Sequence, residues 1–102
     1  MYGDLRGKVI WANQQWSNFV GRSLDEIIGQ SLMKYLTPNA AAVAESRLSF
    51  VRQGGEVPPL VEFEIVRADG SFRWVEANVK SVMRDDAVIG RLLVVRDITE
   101  RK

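Results

Sequence analysis

The sequence predicts an α+β domain, with short helices and one longer helix packed on one face of an antiparallel sheet. Three observations carry this. The stretch from Leu60 to Lys102 reads as three successive strands, LVEFEIVRADG, SFRWVEANVKSVMRDD and AVIGRLLVVRDITERK, each rich in branched or aromatic residues and broken at turn formers. The breaks at Asp69-Gly70 and Arg84-Asp85-Asp86 are short and polar, so consecutive strands pair as antiparallel hairpins, with Asp-Gly supplying the positive φ of a tight turn. Before them the apolar residues recur at helical spacing, so helical and extended segments are segregated along the chain.

The elements follow in order. Asp4 to Gly7 reads as a turn. Lys8-Val9-Ile10-Trp11-Ala12 is a short strand, apolar on both faces and so expected to be covered on both. Asn13 caps a short helix whose core face is Trp16, Phe19 and Val20, and Gly21 ends it. Ser23-Leu24-Asp25-Glu26 is a capping box that starts a second short helix, stopped by Gly29. Leu32, Met33, Tyr35 and Leu36 make another helical turn before Thr37-Pro38. The longest helix runs from near Pro38 to about Gln53, with Ala41, Ala44, Leu48 and Val51 as its stripe, widened by Val43 and Phe50. Gly54-Gly55 ends it and Pro58-Pro59 releases the chain into the strands.

Composition bounds the function. The 102 residues, 46% of them hydrophobic, make one domain over 1–102 with a single core. Fourteen basic and thirteen acidic residues are interspersed to a net charge of +1, which leaves no footprint for nucleic acid or an anionic membrane. No apolar run approaches the ~20 residues that cross a bilayer, and no signal-peptide pattern opens the chain. The simplest expectation is a cytoplasmic domain without membrane contact. With no Cys and no His, the chain lacks a thiol nucleophile, thiolate metal sites and the commonest general base. The acidic residues are scattered, and Glu62 and Glu64 alternate on one strand face, the pattern of a solvated face. No enzymatic reading follows.

The segments Gly7 to Asn13, Val20-Gly21-Arg22-Ser23-Leu24-Asp25-Glu26-Ile27-Ile28-Gly29, Ala68-Asp69-Gly70-Ser71-Phe72-Arg73-Trp74-Val75, Ile89-Gly90 and Val95-Arg96-Asp97-Ile98-Thr99-Glu100-Arg101-Lys102 together resemble a PAS sensory domain of bacterial-type signalling proteins. The likeness spans about residues 4 to 102. It implies a five-stranded antiparallel sheet around a central pocket, in a multidomain signalling protein such as the histidine kinase of a two-component system. It implies a homodimer, with an effector domain C-terminal to this one and residues 97–102 beginning the output linker. Asp97 and Thr99 fall where such domains relay a signal, although both equally suit an ordinary helix cap. The resemblance also implies a central strand ahead of Asp4, where only Met1, Tyr2 and Gly3 stand. The first strand is thus expected to be missing or truncated, leaving a mid-sheet gap from truncation or one filled by an exchanged segment of a second copy.

The ligand expectations come from the same residues. Missing Cys disfavours a flavin adduct and missing His disfavours haem, while noncovalent flavin stays open. Alternation places Phe63, Ile65, Val75, Ala77 and Val79, with Val61, on the face towards the helices, joined by Met33, Leu36, Leu48 and Val51. Such a lining suits a fatty acid or another small apolar molecule. Equally, these side chains would simply fill the core of a ligand-free dimerisation and relay module. Leu92 to Val95 is apolar without a break, so Trp74, Leu92 and Val94 on the other face are expected to form a dimer interface.

Overall fold

A computed structural model describes residues 1–101 of the chain, so the Lys102 end of the expected output linker lies outside the described residues. The element order is β1 (Tyr2–Asp4), β2 (Val9–Trp11), α1 (Gln14–Val20), α2 (Leu24–Ile27), a 3-10 turn at Leu32–Tyr35, α3 (Pro38–Arg52), β3 (Leu60–Val66), β4 (Phe72–Arg84) and β5 (Ala87–Asp97), with a last 3-10 turn at Thr99–Arg101. The strands form one five-stranded antiparallel sheet in the order β2-β1-β5-β4-β3. No helix among the described residues is long and apolar enough to cross a membrane.

The expected gap in the sheet does not form. Tyr2–Asp4 lies between β2 and β5, with Tyr2 opposite Leu92 and Asp4 opposite Gly90. Met1 extends the ladder, its amine donating to the Leu93 carbonyl at 2.9 Å while the Leu93 amide donates back at 2.8 Å. The first strand is short, not missing, and no exchanged segment is needed to complete the sheet. Three residues suffice because a central strand bonds on both sides. The Tyr2 ring also covers Gly90, where a Cβ would stand 2.5 Å from the Tyr2 hydroxyl and 2.7 Å from the Gly3 carbonyl.

The helices begin where their caps dictate. The Asn13 side chain accepts from the Trp16 amide at 3.2 Å, and Gly21, at φ 68, closes α1 by donating to the Ser17 carbonyl. Ser23 accepts from the Glu26 amide, but the return arm of the capping box is replaced by a Ser23 hydroxyl donating to the Glu26 carboxylate at 3.2 Å. Thr37 accepts from the Ala40 amide and Pro38 takes the first turn of α3. Leu48 and Val51 of α3 are buried, but the expected widening fails: Val43 and Phe50 are 42% and 53% exposed. The turn after α3 places Gly55 beneath the Phe50 ring, which holds that ring outside the core.

Two further expectations are corrected. In β2 only Val9 is buried while Ile10 and Trp11 are exposed, because β2 is an edge strand covered on one face. The β3–β4 hairpin closes in a tight turn, the Arg67 amide donating to the Ser71 carbonyl at 2.8 Å and the Gly70 amide to the Arg67 carbonyl at 2.9 Å, but its loop is three residues long. There only Gly70 has positive φ, and Asp69 instead accepts from the Ser71 amide at 2.9 Å. The two-residue hairpin lies between β4 and β5, where Asp85 and Asp86 take φ 51 and 65 between the paired Arg84 and Ala87.

The core fills the space between the helices and one sheet face. Ile65, Val75, Ala77, Val79, Leu93 and Val95 supply the sheet side, and Trp16, Val20, Ile27 and Leu36 the other. Leu92 and Val94, alternate to Leu93 and Val95, face away and are exposed.

Candidate functional site

The first two turns of α3 present Ala40 and Ala44 towards the sheet, and neither fills the space before the strands. A cavity of about 480 Å³ results, within the range of small-molecule sites. Leu32 and Leu36 form its floor, Val61 and Phe63 come from β3, Val79 from β4, and Arg91 and Leu93 from β5. The floor is pinned to β3, since Leu36 bridges Ile65 and the Thr37 amide donates to the Glu64 carbonyl at 3.4 Å.

Of the residues singled out from sequence as inward-facing, Leu36, Val61, Phe63 and Val79 line this cavity. Met33 and Leu48 border a small adjoining void shared with Ala44, Arg91 and Leu93. Val51, Ile65, Val75 and Ala77 are buried in packing contacts and border neither space. Sequence reasoning missed the cationic members, Arg47 on α3 and Arg91 on β5, and read Glu62 and Glu64, which also border the cavity, as a solvated face. The signal for Arg91 was its period-two spacing with Leu93 and Val95, obscured because Leu92 to Val95 read as one apolar run.

Arg91 is 8% exposed, and no hydrogen bond or ion pair engages its side chain among the described residues. Burial, and then the positive charge of Arg47, pull its guanidinium below the ordinary arginine value. Glu62 and Glu64 also border the cavity, from positions alternate to Val61 and Phe63. Among the described residues, no group of three or more acidic side chains is placed to hold a metal ion.

The end of β5 is tied back to the sheet. Thr99 accepts from the Trp74 amide at 3.0 Å, and the Ile98 amide donates to the Trp74 carbonyl at 2.8 Å. Asp97 accepts from the Thr99 amide at 2.8 Å and lies 3.8 Å from Arg73. Its slight burial favours the neutral carboxyl, but the Thr99 hydrogen bonds, then Arg73 and Arg67, outweigh that and hold Asp97 below the usual carboxylate value. Trp74 is half-buried, opposite Glu64 in the ladder, and borders the cavity; alternate to the buried Val75 and Ala77, it falls on the sheet face that also carries Leu92 and Val94.

A family model described as a PAS domain matches residues 1–100. Among solved structures, the PAS domain of a protein from Colwellia psychrerythraea is similar at 26% identity and TM-score 0.81, over 98% of this chain and 85% of that one. The PAS domain of the RpfR quorum-sensing receptor from Cronobacter turicensis, in complex with BDSF, is 24% identical with TM-score 0.77, over 96% and 90%. The PAS domain of an HTR-like protein from Haloarcula marismortui is 23% identical with TM-score 0.76, over 95% and 78%. A search of the curated proteins found no match.

Proposed function

The chain belongs to the PAS domain family, and from that membership we propose that it is a ligand-sensing module that binds a small, largely apolar molecule between α3 and the sheet. PAS domains are sensory modules, not catalysts. The observation that carries the ligand reading is the cavity itself, about 480 Å³ of space in a domain whose neighbouring side chains are close-packed. The RpfR domain, similar in fold, has been solved with BDSF and with C12:0, which supports a fatty acid or comparable molecule here.

The relay runs along β5. That strand brings Arg91 and Leu93 to the cavity, turns Leu92 and Val94 outward, and ends at Asp97, so a change at the ligand reaches an exposed face and the chain exit through one element. The outward face, with Trp74, Leu92 and Val94, is the proposed homodimer surface, supported by the exposure of Leu92, Val94 and Trp11. An effector after the Asp97–Thr99 segment reads the change.

Ala44→Phe tests the site. The added ring enters the cavity, so the variant keeps the wild-type far-UV circular dichroism and loses ligand binding in calorimetry. Undiminished binding by the folded variant rejects this cavity as the site.

A further inference from the structure

We propose that the ligand is an acid: an apolar body ending in a carboxylate, which Arg91 holds from β5 and Arg47 approaches from α3. This rests on the reading of the cavity as a ligand site and names its chemistry.

Arg91 is the most deeply buried charged side chain described, and no ion pair among the described residues engages it. A buried guanidinium without an anion is costly, and packing alone would be served better by Leu or Met at that position. The carboxylates nearby are not committed to it. Asp4, which borders the small void beside Arg91, gives its Oδ1 to the amides of Arg6 and Lys8 at 2.9 Å. Glu62 and Glu64 border the main cavity from β3, and neither forms an ion pair with Arg91.

Arg47 sharpens the inference. It is half-buried on α3, lines the same cavity, and its charge adds to the strain on Arg91 instead of relieving it. The lining thus holds two cations, on α3 and β5, besides the two carboxylates on β3, and a guanidinium's planar fork matches the two oxygens of a ligand carboxylate. The apolar part of the lining, which includes Leu36, Val61, Phe63, Val79 and Leu93, suits the body of the molecule.

Matched acids and alcohols test this by calorimetry on the whole chain: dodecanoic acid against dodecanol, below the micelle concentration, and naphthoic acid against naphthalenemethanol. The tighter pair distinguishes an alkyl chain from a ring, and within it the acid should bind about tenfold or more tightly than the alcohol. Arg91→Met should erase that preference, bringing acid binding down to the level of the alcohol. It should also raise the melting temperature of the ligand-free protein, because an unpaired buried charge is gone. Should Arg91→Met not fold, Arg47→Met carries the test and must lower the preference. Equal binding of acid and alcohol by the wild type overturns the acid subsite and leaves the cavity as a site for neutral ligands. An acid preference that survives in folded Arg91→Met overturns Arg91's role. Binding of none of the four molecules counts against the ligand reading itself, and the acid subsite falls with it.

Discussion

At the scale of single residues, Asp97 and Thr99 form one hydrogen-bonded unit that fastens the end of β5 to Trp74. Cap chemistry is local, so this pair was legible in the sequence. Because the folded Asp97 carboxyl sits below its unfolded value, near ~3.9 for a free side chain, its contribution to stability is complete above that value and disappears as pH falls through the folded one. Asp97→Asn is therefore expected to lower the urea midpoint at neutral pH and to match the wild type in strong acid. A deficit that persists unchanged in acid would mean that the charge of Asp97 plays no part. Arg91 shows the opposite legibility. Its neighbours Leu93 and Val95 share its sheet face at period two, but nothing in the sequence says that a buried cation there goes unpaired.

At the scale of elements, the helices and the three long strands follow from caps, glycines and period, each of which acts within a few residues. What failed were statements about which faces are covered. Val43 and Phe50 have helical spacing with the core stripe, yet α3 meets the sheet over a narrower face. Ile10 and Trp11 looked enclosed, but β2 lies at a sheet edge, and edge position is a property of topology. The β4–β5 turn offers a test of local strain. Asp85 and Asp86 both hold left-handed φ, which costs a non-glycine residue about 1 kcal/mol or more. Replacing the pair by Asn-Gly, the preferred sequence for such a turn, should stabilise the domain by roughly 0.5–1 kcal/mol in urea denaturation. No gain would indicate that side chains beyond the turn, not its backbone, set the hairpin.

At the scale of the whole molecule, β5 is central to the design. It pairs with β1 and β4, lines the cavity on one face, and carries exposed Leu92 and Val94 on the other. The sheet, its helical layer and the inward positions of Phe63 and Val79 could be anticipated because alternation follows directly from strand geometry. A pocket was implied by the resemblance, but its place could not be read off, because space is left only where Ala40 and Ala44 meet particular strands at a particular distance. Nor could the completeness of the sheet, which depends on Met1 and Tyr2 bonding to β5. Native mass spectrometry of the purified protein, with a denatured sample beside it, tests most directly whether that cavity is a ligand site. Ligand sensing predicts a species carrying a few hundred daltons of extra mass that denaturation releases, most of it in the dimer. A spectrum holding only bare protein mass, unchanged after incubation with dodecanoic acid, would contradict it.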